Sequence, residues 1–565
     1  MSGGRITGLV SELLFLSSAI LAQSDMATLS GRITDQSGRV LVGAQIIVSN
    51  IETGIGVTTT SNTDGIYVVA DLRPGPYRIY VEKEGFRKVE LKGLILNVQD
   101  SVGRNFTMQI GPIKETITIT AGYDENKLSP AVSSVVDQQF VENIPLNGRS
   151  FQSLIELTPG IVVVPAGQAI EGQFSVNGQR SNTNYFTVDG VSANFSTNIS
   201  VSLGQSFGGS LPALTVGGGT NSFVSVDAMQ EFRIQTSTYA PEFGRSPGAQ
   251  ISIVTKSGTN QFHGTAYEYL RNDVFDARNW FDSPPLPKPP LRQNDFGGTF
   301  GGPIIKNRTF FFFSYEGLRL RQPQTAIADF YTPQARAAAS SVYQPFVNAL
   351  PIPNGPVADP SCDNVTTACY ASLTGAYSEP SSFDGYSLRL DHTVKQRVTL
   401  FARYGHTPSV QGGPQFDNFA NQEYDSLNTD TATAGATVTV SPTKLNDFRA
   451  NWSRSRGRAI LTLNNLDGAV PPPFTDLYRP GDSFERDQDV ISFPDIDEGI
   501  YQGTRVANVQ RQLNFVDTFS MSAGTHQFKF GVDFRRLEPT NQGDNGYALV
   551  LTNFSQVRSG TMGLV

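Results

Sequence analysis

The sequence has few charged residues, few cysteines and few tryptophans. Charged side chains make up 17% of its 565 residues, below the ~25% of ordinary soluble domains. The 2 cysteines are too few for a disulfide scaffold or a cysteine-rich zinc site. Basic residues number 43 against 51 acidic ones, and the longest basic run is the pair Arg535-Arg536. A chain with net charge −8 is not built to neutralise phosphates, so we predict no nucleic-acid partner.

Long apolar runs are also missing. No stretch of ~18 apolar residues follows the N-terminus, so the sequence predicts no helix that spans a bilayer. The apolar run Leu13–Ala22 follows Arg5 and ends in a small residue, which is typical of a secretory signal. Glu12 beside the run makes the pattern imperfect, and a buried segment of the first domain is the alternative. We predict a signal peptide over residues 1–22. An exported chain can still enter a membrane as a β-barrel, whose strands alternate in polarity.

Motifs of catalysis and metal binding are absent from the sequence. The 4 histidines are isolated in β-patterned segments and none belongs to an H-E-x-x-H motif. A phosphate-binding G-x-x-x-x-G-K-[ST] loop is also missing. The acidic residues between Asp482 and Glu498 lack the spacing of an EF-hand, and a solvated loop is favoured over a calcium site. The sequence therefore predicts no catalytic residues, no metal site and no cofactor.

Residues 27–111 have the pattern of a small all-β domain. Short β-branched runs alternate with turn-forming clusters at Asp35–Gly38, Asn62–Gly65 and Leu72–Tyr77. Such spacing predicts a β-sandwich. The stretch resembles the carboxypeptidase-regulatory-like domain, a prealbumin-type sandwich. In that domain the Asp, Asn and Gly residues shape turns and do no chemistry.

A short β-prone segment follows in the linker formed by residues 112–122. It resembles a TonB box, the segment by which outer-membrane receptors engage the TonB energy transducer. Such a segment needs an extended, unpaired edge that another chain can join as a strand. A last strand of the sandwich is the alternative reading. The residues concerned are Glu115, Thr116, Ile117, Thr118, Ile119, Thr120 and Ala121.

Residues 123–258 resemble the plug domain of TonB-dependent receptors, which implies an α+β unit. The resemblance rests on three segments, which are Val141–Ser150, Phe174–Arg180 leading to Phe186–Val191, and Val226–Ile234 running on to Gly258. Arg149, Arg180 and Asp189 lie within these segments and could pass for a catalytic cluster. We predict instead that these polar groups hold the plug inside a polar barrel lumen.

From residue 259 onward the sequence alternates in long strands. Apolar residues such as Leu388 and Leu390 are interleaved with charged ones such as Arg389 and Asp391, which predicts a lipid-facing wall around a wet lumen. The segment Asn294–Gly317 resembles the start of an Oar-like TonB-dependent barrel.

Connections between these strands are uneven in length. We predict two long loops at Pro333–Ser382 and Asn464–Val506, and short turns such as Ser522–Thr525. Cys362 and Cys369 lie in the first long loop, and in an exported chain they predict a loop disulfide.

The barrel predicted for residues 259–565 is incomplete. Only about eight to twelve convincing strands can be traced, whereas large receptor barrels use about twice as many. The sequence ends at Ser559–Val565 without the aromatic-terminated strand that closes such barrels. We therefore expect the N-terminal part of an Oar-like barrel, truncated and not closed.

Taken together, the resemblances imply a mainly β protein of the outer membrane. It comprises an N-terminal prealbumin-like β-sandwich in the periplasm, an α+β plug domain and an incomplete antiparallel transmembrane β-barrel. The implied function is TonB-dependent, energised uptake of an extracellular ligand, an oligosaccharide or a peptide, with outer-membrane lipid around the barrel. A surface adhesin or structural outer-membrane protein that binds polymers without transport is the alternative.

Overall fold

The computed structural model describes most of the chain. The predicted signal peptide, Ala121 and the motif Val141–Ser150 lie outside the described residues. These residues are 25–113, 115–120, 126–129, 131–137, 140, 151–163, 174–197, 209–240, 242–277, 288, 290–365, 367–395, 397–415, 418–473, 483–524, 526–542, 547–550 and 554–561. Among them, no helix is long and apolar enough to cross a membrane.

The N-terminal domain is a sandwich of two sheets around an apolar core. One sheet has the order β10-β7-β1-β4, with β8 also paired to β1, and the other has the order β3-β2-β5-β6-β9. The turns follow from their side chains, since the Asp35 carboxylate accepts from the Ser37 and Arg39 N–H groups. The strands are β1 Ala27–Asp35, β2 Gln45–Asn50, β3 Gly56–Thr60, β4 Ile66–Leu72, β5 Gly75–Glu82, β6 Lys88–Leu96, β7 Ser101–Gly103, β8 Phe106–Met108, β9 Thr116–Thr120 and β10 Asn126–Lys127.

The plug is an α+β unit built on a mixed sheet of order β11-β16-β17-β14-β15, with β12 and β13 paired separately. Its core contains the buried rings of Phe151, Phe186 and Phe232. A short α-helix covers Gln152–Ile155, and 3-10 turns cover Ser181–Thr183, Thr220–Ser222 and Val226–Ala228. The strands are β11 Val132–Val136, β12 Ile161–Val163, β13 Phe174–Val176, β14 Tyr185–Val188, β15 Val191–Ser192, β16 Met229–Ser237 and β17 Gln250–Thr255.

The third part is an 11-stranded sheet in which neighbouring strands are antiparallel except for the β25–β28 pair. Helices in its connections cover Pro333–Ala338, Gln344–Asn348 and Phe554–Ser559, and 3-10 turns cover Asp273–Phe275 and Leu466–Gly468. The strands are β18 His263–Asn272, β19 Arg292–Ile305, β20 Thr309–Tyr331, β21 Tyr370–Val394, β22 Val398–Gln415, β23 Asn418–Ser441, β24 Lys444–Leu463, β25 Gln488–Phe493, β26 Glu498–Ala523, β27 His526–Gln542 and β28 Tyr547–Val550.

The described part of this sheet does not close into a barrel. Strand β18 pairs only with β19, and β27 pairs only with β26, so the two edges do not meet among the described residues. The predicted mainly β fold, with its sandwich, plug and unclosed barrel, is confirmed. The two predicted long loops are wrong in extent, since residues 370–382 belong to β21 and residues 488–493 and 498–506 belong to β25 and β26. Residues 370–382 are rich in Ser, Thr, Gly and Pro, so they read as a loop, although Ala371 and Leu373 are buried in the strand.

Polarity alternates along the strands as a barrel wall requires. On β24, Phe448 and Trp452 are exposed on the outer face, whereas Arg449, Asn451 and Ser453 are buried on the inner face, against the plug and the lumen. Residues on the outer face meet lipid and residues on the inner face meet water or the plug.

The sandwich lies at the end of the barrel that has the short turns. The Thr59 hydroxyl donates to the carbonyl of Pro442 at 3.0 Å, and the Asn62 side-chain amide donates to the carbonyl of Gly524 at 2.8 Å. Because short turns mark the periplasmic end of an outer-membrane barrel, the sandwich lies at the periplasmic mouth.

Candidate functional site

Asp189 is the plug residue that anchors the plug to the barrel wall. It occupies the tight turn between β14 and β15, where Asp189 and Gly190 have φ of 50° and 78°. An Asp-Gly pair adopts these left-handed angles readily, and the turn projects the carboxylate out of the plug. Its oxygens lie 3.0 Å from Nη1 of Arg389 and 3.0 Å from Nε of Arg403, on two neighbouring strands of the lumen wall. The Thr255 N–H also donates to it at 3.1 Å.

Arg389 connects the plug to the sandwich through a second carboxylate. Its Nε lies 3.0 Å from the Asp391 carboxylate, and its Cζ lies 4.5 Å from the centre of the Phe401 ring. Asp391 in turn accepts a hydrogen bond of 2.7 Å from Nη1 of Arg73, which belongs to the sandwich. One chain of ion pairs thus joins all three parts of the molecule.

Arg449, on β24, contacts the turn that carries Asp189. Its Nη1 donates to the backbone carbonyl of Asp189 at 2.7 Å, and its Nε lies 3.0 Å from the Asp447 carboxylate. The guanidinium lies directly on Gly190, where a Cβ atom would come within 1.5 Å of Nη1. Asp25, just before the first sandwich strand, lies 3.8 Å from the same nitrogen.

These charges balance one another in a site that is almost fully buried. Burial raises the pKa of Asp189, but the guanidinium groups of Arg389 and Arg403 outweigh it and lower the pKa to about 2. Asp25 is less well compensated, and its burial raises the pKa to about 6 although Arg449 opposes the shift. Four carboxylates meet four guanidinium groups here, from Asp25, Asp189, Asp391, Asp447, Arg73, Arg389, Arg403 and Arg449. Removing one member of the cluster would leave a buried charge unpaired, which is costly.

Hydrogen bonds and further ion pairs attach the rest of the plug to the wall. The Ser192 N–H donates to the Asn514 side chain at 2.9 Å, and the Val216 N–H donates to the Ser409 hydroxyl at 3.0 Å. Nearer the rim, Arg245 pairs with Asp533 at 3.0 Å. The densest cluster of buried charge lies at Asp189, and the ion pairs elsewhere between plug and wall, such as Lys529–Glu242 at 3.0 Å, are more exposed.

The sandwich docks on the plug through a buried polar interface. The Val98 N–H donates to Oε1 of Glu231, and Asp100 pairs with Arg233. Burial raises the pKa of Glu231 to about 8, so its carboxyl group is mostly protonated at neutral pH. The contact between sandwich and plug therefore involves a carboxyl group that titrates near physiological pH.

The predicted TonB segment lies at the edge of the sandwich. Strand β9 pairs in parallel with β6, with Thr116 opposite Lys88, and the Lys88 N–H donates to the Glu115 carbonyl at 2.9 Å. Ile119 packs partly against the sandwich core, whereas Thr116, Thr118 and Thr120 are exposed. The position of the segment leaves both readings of it open.

The other site residues predicted from the sequence do not join the cluster around Asp189. Cys362 and Cys369 form a disulfide with Cα atoms 5.2 Å apart. Arg180 is exposed on the plug and does not join Asp189, and Arg149 lies outside the described residues. Sequence reasoning missed the lumen partners of Asp189, although arginine at inward positions of apolar strands was an available signal. Among the described residues, no group of three or more His, Cys, Asp or Glu side chains could hold a metal ion.

Comparison with protein families finds three matches along the chain. The outer membrane beta barrel domain matches residues 254–562, the TonB-dependent receptor plug domain matches residues 125–249, and the carboxypeptidase regulatory-like domain matches residues 28–109.

This chain matches individual relatives over only part of their own length. The TonB-dependent transporter Oar of Myxococcus xanthus is 30% identical over 336 residues, which are 54% of this chain and 28% of that protein. Among solved structures, the outer membrane transporter YddB from Escherichia coli is 10% identical with a TM-score of 0.48, over 74% of this chain and 50% of that one. The siderophore receptor PirA from Acinetobacter baumannii is 12% identical with a TM-score of 0.42, over 72% and 48%.

The barrel match alone covers more than half of the chain, and it accounts for the alternating strands described above. The plug match contains Asp189 and its turn, and the third match covers the sandwich. The chain belongs to the outer-membrane β-barrel family, carries a TonB-dependent receptor plug domain and a carboxypeptidase regulatory-like domain ahead of the barrel, and is similar to the transporter Oar over part of that protein's length.

Proposed function

We propose that this chain takes up an extracellular ligand through the barrel lumen, and that TonB drives uptake by pairing with residues 115–121. In this proposal residues 112–122 link a sandwich of residues 27–111 to a plug of residues 123–258, and residues 259–565 form the barrel. The observation that carries the proposal is strand β9, an exposed edge strand between the sandwich and the plug. TonB can join such an edge through main-chain hydrogen bonds.

The register of β9 tells which backbone groups are available to a partner. Alternate residues of a strand direct their N–H and C=O groups to the same side. The carbonyl of Glu115 faces β6, so Ile117 and Ile119 face β6 as well. The groups of Thr116, Thr118 and Thr120 therefore lie along the outer edge of the sheet.

Two proline substitutions distinguish the outer edge of β9 from the edge that pairs with β6. Proline removes one N–H, so Thr118→Pro deletes a donor on the outer edge, whereas Ile117→Pro deletes one that β6 uses. We expect Thr118→Pro to weaken binding of the purified TonB C-terminal domain at least tenfold while the sandwich keeps its melting temperature. Ile117→Pro is expected to loosen β9 from β6 and lower that temperature. Calorimetric titration and thermal melting measure the two effects.

Transport is tested in the same variants. Ligand binding is expected to survive in Thr118→Pro while energised uptake falls. If TonB binding and uptake are both unchanged by Thr118→Pro, β9 is only the last strand of the sandwich. If deletion of residues 115–121 leaves uptake at its full level, the proposed coupling to TonB through this segment is wrong. Ligand binding without any uptake by the native chain favours an adhesin or a structural protein.

We propose an oligosaccharide or a peptide as the ligand. Support comes from the inner wall of β24 and β26, where amide and hydroxyl side chains that now bind the plug would suit ligands rich in hydrogen-bonding groups once the plug moves. Growth of a deletion strain on single oligosaccharides or peptides as carbon source tests this, and normal growth on all of them contradicts it. The inward residues concerned are Asn451, Ser453, Ser455, Asn508, Gln510, Gln512 and Asn514.

A further inference from the structure

The outer wall of the barrel carries an apolar groove across β22, β23 and β24. Its volume is about 480 Å³. Tyr404 and Leu390 form one side, and Trp452 and Phe515 form the other. The floor consists of small side chains, namely Ala402, Ala432, Ala434 and Ala450.

Strand register explains the groove. Ala402 lies opposite Ala434, and Ala434 lies opposite Ala450, so three methyl groups stand side by side across three strands. Neighbouring strands are ~4.8 Å apart, which gives a floor ~10 Å wide between larger side chains. A groove of this width, on a face that meets lipid, fits an acyl chain.

A cluster of arginines lies at one end of the groove. Arg454, Arg456 and Arg458 occupy successive outward positions on β24, directly after Trp452. Arg511 on β26 lies opposite Arg454 in register. Arg456 lies opposite Val509, two residues from Arg511, so Arg456 and Arg511 are diagonal neighbours on the outer face and an anion between them can contact both.

Carboxylates neutralise only part of this cluster. Arg454 pairs with Asp430 at 2.8 Å, and His406 also contacts Asp430 at 2.8 Å. Arg456 and Arg511 are exposed, and within the described part of the chain neither forms an ion pair with a carboxylate. Two guanidinium groups are thus available to an external anion.

The cluster lies at the level of the outer headgroups. From Lys444 at the periplasmic turn to Arg456 there are 456 − 444 = 12 residues of β24. At ~3.3 Å per residue and a tilt of ~40°, this places Arg456 ~30 Å along the membrane normal. The hydrocarbon core of a bilayer is ~30 Å thick, so Arg456 reaches the opposite interface.

We propose that this surface binds an anionic, phosphorylated lipid of the outer leaflet. One acyl chain lies in the alanine-floored groove, and the phosphate lies between Arg456 and Arg511. Guanidinium groups bind phosphate oxygens through paired, charge-assisted hydrogen bonds, which suits them to this role. The site belongs to the outer wall and does not depend on the proposed transport.

Trp452 provides a direct readout, because it forms one side of the groove and is one of only 2 tryptophans. The full chain carrying Trp280→Phe is reconstituted in phosphatidylcholine vesicles, and lipids with brominated acyl chains are added to quench Trp452. We expect brominated phosphatidylglycerol to quench at a mole fraction roughly tenfold or more below that needed for brominated phosphatidylcholine. Equal quenching by the two lipids, or none by either, overturns the proposal.

Variants assign the preference to the two arginines. Arg456→Gln with Arg511→Gln is expected to abolish the preference for phosphatidylglycerol, and Ala434→Phe is expected to reduce quenching by filling the groove. Arg319→Gln is the matched control, since Arg319 is exposed but already pairs with Asp384 at 2.9 Å. Near-native far-UV circular dichroism checks that each variant is folded. A preference that persists in the double arginine variant refutes the site.

Discussion

Replacing Asp189 with asparagine is the sharpest test of how the plug is attached. The amide keeps the shape of the side chain and can still accept from the Thr255 N–H, but it removes the charge between Arg389 and Arg403. Arg389 retains Asp391 at 3.0 Å, whereas Arg403 pairs only with Asp189 within the described chain. Asp189→Asn therefore leaves one buried guanidinium without a counter-ion.

The structure sets the size of the effect. Arg403 is 5% exposed, and removing one partner of a buried pair costs ~3–5 kcal/mol. We expect the free energy of local opening to fall by that amount for the amides of β14 and β17, which raises their hydrogen exchange by a factor of roughly 10²–10⁴. Hydrogen exchange followed by mass spectrometry on the reconstituted protein measures this.

Two further variants make the result specific. Asp533→Asn removes the charge that pairs with the partly exposed Arg245, and asparagine can still accept from the Asn514 amide, so it should cost ~1 kcal/mol. Adding Arg403→Gln to Asp189→Asn removes the unpaired charge and should recover part of the loss. The pKa of Asp189 is lowered to about 2, so its contribution is complete above about pH 4 and is lost only as the pH falls through about 2. An effect no larger than that of Asp533→Asn refutes the reasoning.

Three other predictions follow from the same contacts. Burial raises the pKa of Glu231 from 4.5 to about 8, so docking of the sandwich on the plug should weaken as the pH rises between these values, by up to ~1.4 kcal/mol per pH unit. Glu231→Gln should flatten this pH dependence, measured as the rate of proteolysis at the interface. Gly190→Ala should loosen the plug by more than ~2 kcal/mol in hydrogen exchange, because its Cβ would meet Arg449, whereas Gly178→Ala, at φ 76° with open space, should cost ~1 kcal/mol. Replacing Cys362 and Cys369 with serine should lower the stability of their loop by at most ~2.5 kcal/mol, measured by its proteolysis rate, since the closed loop is short.

Local pattern predicted the parts of this molecule but could not predict how they meet. Alternation on β21 and β24 identified which residues face the lumen, because the period of a strand is two. Nothing local pairs Arg389 with Asp189, which lies 200 residues earlier in the chain. Such a contact depends on how the plug sits in the lumen, and a single sequence carries no signal for that.

The segment Glu115–Ala121 shows a different limit. Alternating threonine and isoleucine is equally suited to a sandwich edge and to a strand that a partner joins, so the two readings could not be separated by pattern. The two long loops were overextended for a related reason, since Tyr370–Ser382 pairs with β20 although its composition is that of a loop. Ala371 and Leu373 are buried in this strand, but so few apolar residues among Ser, Thr, Gly and Pro give too weak an alternation to predict it.

The position of the sandwich makes the attachment of the plug depend on a second domain. Its side chains contact the turns at Pro442 and Gly524, and Arg73 reaches Asp391 inside the wall. Because Asp391 also pairs with Arg389, which holds Asp189 of the plug, the sandwich and the plug share one ion-paired arginine. A change that releases the sandwich therefore weakens the attachment of the plug as well.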